Sequence, residues 1–223
     1  MRKRFFGLAV AASLAISAIF VGTASAASKA RLNVVHGIPG VDVNVCLNGA
    51  EAIPDFNPGE VVTGVALDAG AYDLKIVAQA DDCADPAILS ANDVELVAGK
   101  NYSAVAHLDG GGDPTLALFR NNVKALPKGT ARLTVRHAAA APEVDVWANG
   151  SVLLRDVPNG ASATMKVPTG VYATWVSLPD EYQPVIGPDV FKLRKGMAYQ
   201  VYAWGNGTAG FDFAVVAVEV GVK

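Results

Sequence analysis

The sequence predicts an all-β protein: two tandem immunoglobulin-like, Greek-key β-sandwich domains behind a signal peptide. Three observations predict it. The phrase VVHGIPGVDVNVCLNG, residues 34–49, returns in altered form as VRHAAAAPEVDVWANG, residues 135–150. Apolar residues recur at the two-residue period of a strand, and no stretch carries the helical period. An Asn-Gly pair closes the repeated Val-x-Val alternation both times, at Asn48-Gly49 and Asn149-Gly150. That dipeptide favours the positive φ angles of a two-residue hairpin turn.

Residues 1–26 read as the signal peptide. Arg2, Lys3 and Arg4 form a positive start, an apolar run follows from Phe5 to Val21, and Ala24-Ser25-Ala26 supplies small residues for cleavage. Cleavage after Ala26 leaves 223 − 26 = 197 residues, enough for two domains of ordinary size. The leader takes three basic residues with it, so 18 − 3 = 15 basic residues stand against 21 acidic ones, a net charge of −6. That balance argues against nucleic acid and anionic membrane as partners. No later apolar run is long enough to span a bilayer.

The two copies align in order over nearly their whole length. Arg31, Leu32, Val34 and His36 match Arg132, Leu133, Val135 and His137. Val41-Asp42-Val43 is set against Val144-Asp145-Val146, Gly70 and Tyr72 against Gly170 and Tyr172, and Gly99 and Tyr102 against Gly196 and Tyr199. The period is too long for a solenoid unit, so this is a duplicated domain. Further strands are expected at 60–67, 72–78, 88–96, 102–108 and 115–119, and at 162–167, 172–177, 190–193, 199–204 and 211–220. About seven short strands per copy suggest a sandwich. Pro127 and Gly129 mark a linker at 126–130, between domain one (28–125) and domain two (131–223).

The phrase Val-x-His-Ala-x₃-Pro-x-Val-Asp-Val-x-x-Asn-Gly, with the later Gly-x-Tyr and Gly-x-x-Tyr elements, resembles the signature of an exported bacterial family catalogued as domain of unknown function 4397. The second copy matches well. The first departs from it where Gly37-Ile38-Pro39-Gly40 replaces the Ala-Pro loop. The resemblance implies secretion and a β-sandwich in two tandem copies. It implies no activity and transfers no site.

Cys46 and Cys83 are the two cysteines of a chain bound for an oxidising compartment, and they read as one disulfide. His36 and His137 fall on the apolar face of their strands, with Asp42 and Asp145 a short loop away. A structural His–Asp hydrogen bond is expected in each copy, at His36–Asp42 and His137–Asp145, rather than catalysis or metal binding. The acidic loops around Asp81, Asp82, Asp85, Asp109 and Asp113 lack EF-hand spacing and read as turns. The aromatic distribution is uneven: Trp147, Trp175 and Trp204 all lie in the second copy, where the first has Asn44, Lys75 and His107. Strand parity turns them away from the core. Trp147, Trp175, Tyr202 and Trp204 therefore form a candidate binding surface, the competing account being packing against the other copy.

The functional expectation is a non-enzymatic secreted or cell-surface binding module, with no catalytic residue, cofactor or metal. Its expected partner is an envelope protein or a glycan. The alternatives are a glycan-binding module using the tryptophans of domain two, and a hydrolase whose site lies in a cleft between the copies.

Overall fold

The computed structural model describes residues 28–223, and the signal-peptide reading falls on residues outside these. Domain one contains β1 (Ala30–Gly37), β2 (Val43–Leu47), β3 (Ala50–Phe56), β4 (Val61–Leu67), β5 (Gly70–Ala78), β6 (Leu89–Leu96), β7 (Asn101–Leu108) and β8 (Pro114–Asn121). Domain two contains β9 (Thr130–Ala140), β10 (Val144–Ala148), β11 (Ser151–Val157), β12 (Ser162–Pro168), β13 (Gly170–Ser177), β14 (Pro184–Leu193), β15 (Met197–Asn206) and β16 (Gly210–Glu219). The protein is all-β, two sandwich-like units of two four-stranded sheets each. In domain one the sheet orders are β4-β1-β7-β8 and β3-β2-β5-β6; in domain two they are β12-β9-β15-β16 and β11-β10-β13-β14. Pairing is antiparallel except between β1 and β7 and between β9 and β15. Among the described residues no helix is long and apolar enough to cross a membrane.

Each copy has eight strands. The additional ones are β3 and β11, which sit at sheet edges and follow the Asn-Gly turns. Asn48 and Asn149 take φ of 51° and 49°, Gly49 and Gly150 78° and 80°, as that hairpin turn requires. β3 carries Pro54 and is mostly exposed, so its residues show neither alternation nor an unbroken apolar run.

The register also corrects the alignment of the copies. Asn44 and Asp145 do the same work: the Asn44 side chain accepts the Asp55 N–H at 3.0 Å, and Asp145 accepts the Asp156 N–H at 3.0 Å. The early part of the repeat therefore runs ungapped at an offset of 145 − 44 = 101. Cys46, not Asn44, is the counterpart of Trp147. Both lie cross-strand from matching positions, Lys75 and Trp175.

Each half has its own core. Leu32, Val34, Val45, Ile76 and Tyr102 anchor the first, and Leu133, Val135, Val146, Val176 and Val201 the second. A third cluster joins them: Val35 and Val105 of domain one meet Ala138, Tyr202, Ala214 and Val216 of domain two, with Phe119 and Trp204 at its margin. The sheet holding β1 and β7 is thus covered on both faces, and every residue of β7 is buried. Some polar residues of this shared face pair across it, while Arg136 Nε, Gln200 Oε1 and Trp204 Nε1 are buried without a protein partner. Arg136 Nη2 donates to Asn121 Oδ1 at 2.7 Å, and Arg136 Nη1 to the Tyr202 hydroxyl. The guanidinium carbon lies 4.1 Å from the Phe119 ring centroid, a cation–π contact with domain one. Burial lowers the Arg136 pKa and raises that of Tyr202.

Candidate functional site

The outer sheets of the two halves carry different chemistry on the same geometry. In domain one, Cys46 faces outward from β2 and is bonded to Cys83 in the loop between β5 and β6. Lys75 Nζ reinforces the tie by donating to the Cys83 carbonyl at 2.7 Å. In domain two an aromatic trio ties the equivalent loop. Trp147 stacks on Trp175 with centroids 5.5 Å apart and planes 5° from parallel. Tyr182, from the loop between β13 and β14, sets its ring near-perpendicular to both, at 5.2 and 5.4 Å. Trp147 Nε1 donates to Ser177 Oγ at 2.9 Å, which fixes the outer indole. Tyr182 was not legible as a site residue because a lone tyrosine beside Pro184 reads as loop. Its signal is position: it occupies the loop that holds Cys83 in the first copy.

The surroundings differ in the same sense. On the domain-one face Ala71, Asp73, Asp93 and Glu95 are all exposed. Strand pairing puts Val171, Ala173, Val190 and Lys192 at the corresponding places of domain two. Val190 is 70% exposed, Tyr182 61% and Val171 58%. An acidic, wetted face in one copy is therefore an apolar, aromatic face in the other.

Two of the four residues expected on a binding surface lie elsewhere. Tyr202 is fully buried in the contact between the halves. Trp204 lies against Gly37 and Gly59 of domain one, where a Cβ added to Gly59 would come within 2.7 Å of the indole. Both point away from their own sandwich, as parity requires, and the other copy covers them. Trp147 is half-exposed, and Trp175 is buried beneath its two aromatic neighbours.

Neither expected His–Asp bond forms. His36 Nε2 bonds the Val41 carbonyl at 2.7 Å, and its ring stacks on Phe56 at 5.6 Å. Asp145 lies on the outer face of β10, whereas His137 points to the inner side of β9, so the two are on opposite sides of a sheet. Both His137 ring nitrogens are buried without a protein partner. Burial, with a smaller contribution from nearby His107, lowers its pKa to about 4, so the ring is neutral. The unfolded chain, with a histidine pKa near 6.5, binds a proton between those values that the fold excludes. Stability is therefore lost as pH falls from about 6.5 towards 4 and levels off below that. His137→Leu removes this dependence. We expect the wild type to lose about 2 kcal/mol more than the variant between pH 7 and pH 4.5, measured by urea unfolding. Parallel losses in both proteins would show that His137 titrates normally in the fold.

The acidic loops serve as turns. Asp109 Oδ1 accepts the Gly111 and Asp113 N–H groups at 2.8 and 2.9 Å, and Asp82 Oδ1 accepts that of Ala84 at 2.7 Å. No group of three His, Cys, Asp or Glu side chains able to hold a metal occurs among the described residues. The middle of the space between the halves is filled by the shared apolar cluster, where a hydrolase reading needs an open cleft. A polar groove of about 350 Å³ at one edge is lined by residues of both halves, Arg31 and Asn33 among them, with Glu219 as its one carboxylate.

Residues 30–147 match the family model described as Domain of unknown function (DUF4397). The chain belongs to this family. The match covers all eight strands of domain one and ends at Trp147 in domain two; the doubling of the DUF4397 chain is read from its strands. No curated protein matches its sequence. A solved structure, the Bacillus anthracis TIE protein, aligns at 14% identity with a TM-score of 0.25, covering 83% of this chain and 34% of its own. The DUF4397 chain thus spans about a third of that protein's length, and a superposition this loose carries no argument.

Proposed function

We propose that the protein is a non-enzymatic, extracytoplasmic binding module, secreted or held at the cell surface. It engages an envelope partner through the outer sheet of domain two. The Cys46–Cys83 bond supports the location, since such bonds persist in oxidising compartments. The observation that carries the binding reading is the contrast between the two outer sheets. The same face is acidic in domain one and carries exposed Val171, Tyr182 and Val190 beside Trp147 in domain two. Closing the loop does not explain that exposure, because a single covalent bond closes it in the first copy. Contiguous exposed apolar surface marks an interaction site. The aromatic trio is held by its own contacts, so it offers flat area with little side-chain entropy left to lose.

A polysaccharide is the second reading, favoured by the half-exposed Trp147 ring, whose orientation is fixed by stacking and by its bond to Ser177. A glycan array and a pull-down from native cell envelope, each run with wild type and Tyr182→Ala, test both. Tyr182 is 61% exposed and makes two edge contacts with the indoles, so the variant should lose about 1–2 kcal/mol of stability and stay folded. Its affinity should fall by about 1–3 kcal/mol if the ring is an anchor. Undiminished capture by Tyr182→Ala would move the binding site elsewhere.

A further inference from the structure

The start of β7 and the end of β8 lie side by side, with Asn101 paired to Asn121, and the chain then leaves domain one through residues 122–124. These segments line a groove of about 470 Å³, with Lys100, Asn101, Arg120, Asn122 and Lys124 among its walls. Among the described residues no carboxylate lines it. Lys100, Arg120 and Lys124 make no ion pair among those residues, although the chain carries a net charge of −3. The acceptors nearby are taken. Arg132 Nη1 donates to the carbonyls of Asn122 and Lys124, each at 2.9 Å, and Asn122 Oδ1 accepts the Lys124 N–H at 3.2 Å. Asn101 is 6% exposed, and its Oδ1 accepts from Asn33 and Asn121 at 2.9 and 2.7 Å, which fixes the amide. Its Nδ2 has no protein partner among the described residues and, unlike the His137 nitrogens, is not sealed from solvent. Asn101 also lines the narrower groove that holds Arg31 and Glu219. The side-chain groups left unpartnered along the larger groove are therefore donors: three cations and the amides of Asn101 and Asn122.

The second copy shows that the fold does not require this charge. Strand pairing puts Ala198 in the place of Asn101, an offset of 198 − 101 = 97. Met197, Ala217, Glu219 and Gly221 then answer to Lys100, Arg120, Asn122 and Lys124. The same strand ends are built there without a cation and with a carboxylate. We propose that the groove of domain one binds an acidic saccharide, a short hydroxyl-rich ligand bearing carboxylate or phosphate groups. The cations answer its charge, and the asparagine amides donate to its hydroxyl oxygens. The volume lies within the range of small-molecule sites and exceeds what one inorganic anion fills. The Asn101 amide is already held in place, so it has little freedom left to lose on binding. The groove shares no residue with the aromatic face of domain two, so this inference stands apart from the proposed function.

The test uses the full mature chain at low salt, with trigalacturonate and glucose 6-phosphate as acidic probes. Maltotriose is the neutral control and inorganic phosphate the bare anion. Binding is followed by NMR shifts of the Asn101 and Asn122 side-chain amides. Saturable shifts are expected with at least one acidic probe, and the tighter of the two identifies carboxylate or phosphate as the charged group. Maltotriose and inorganic phosphate each lack half of the chemistry and should bind at least about tenfold more weakly. Added salt should weaken the acidic probe, since the groove is open to screening. Arg120 and Lys124 are exposed, so Arg120→Gln/Lys124→Gln should stay folded. It should weaken binding about tenfold, two exposed ion pairs being worth up to about fivefold each. Tyr182→Ala should leave binding unchanged. No saturable shift with either acidic probe overturns the proposal. So does maltotriose or inorganic phosphate binding as tightly as the acidic probe, a folded double variant that binds like wild type, or loss of binding in Tyr182→Ala.

Discussion

Tyr202→Ala is expected to destabilise the whole chain by about 3–5 kcal/mol, the range for truncating a fully buried aromatic side chain. The ring is fully buried in the cluster shared by the two halves, and its hydroxyl accepts from the buried Arg136 guanidinium. The variant therefore opens a cavity and also strands a donor. Val35→Ala makes the same point from the other side. Val35 belongs to domain one, is fully buried, and contacts the domain-two cluster. Its loss should cost about 2 kcal/mol. All three tryptophans lie in domain two, and in a Trp204→Phe background, which removes the indole set against domain one, tryptophan fluorescence reports that half alone. In urea unfolding, Val35→Ala should lower the midpoint of the fluorescence transition. An unmoved fluorescence midpoint would mean that the halves unfold independently and that their contact adds no stability.

Removing the disulfide should have a comparable effect by a different route. Cys46 and Cys83 are 37 residues apart, and the chain-entropy model assigns a loop of that length about 4 kcal/mol through restriction of the unfolded chain. The double variant Cys46→Ala/Cys83→Ala should unfold at markedly lower urea than the oxidised protein, with the early loss in domain one. Far-UV circular dichroism sees both halves, and tryptophan fluorescence sees the second. Identical midpoints for the oxidised protein and the double variant would show that the loop between β5 and β6 is held without the bond.

The sandwich class, the duplication, both Asn-Gly hairpins and the cysteine pair were all legible in the sequence, because each rests on local chemistry. Alternation marks a strand wherever one face is wet. Asn48 and Asn149 take positive φ whatever surrounds them. The contact between the halves was hidden for a physical reason. Arg132, Thr134 and Arg136 alternate with Leu133 and Val135, which is the pattern of a solvated outer face. All three polar residues are in fact buried, and their partners come from other strands or from the chain between the halves. Asn121 receives Arg136, the carbonyls of Asn122 and Lys124 receive Arg132, and Thr164 meets Thr134. The other half of the signal sits in β7, where Ser103, Val105 and His107, all buried, replace the charges expected of an exposed face. The candidate surface was half legible. Parity turned Trp147, Trp175 and Trp204 outward, but which sheet covers which is a matter of tertiary placement.

The first strand of each half lies inside its sheet, bonded along one side to a parallel partner and along the other to an antiparallel one. A pull between the two ends of domain one enters at Arg31 and leaves at Asn121, both beside Asn101 at one end of the sheet, so it loads the edge strand β8 before the doubly bonded β1. An edge strand in a hairpin peels open one bond at a time. Tension passing on through residues 122–129 meets the same arrangement in domain two, where Arg132 and Val218 both pair with Ala198. Endurance under such a load follows the rate of unfolding rather than the equilibrium stability. A tether made of this chain would yield at β8 and β16, the edge strands that end its two halves.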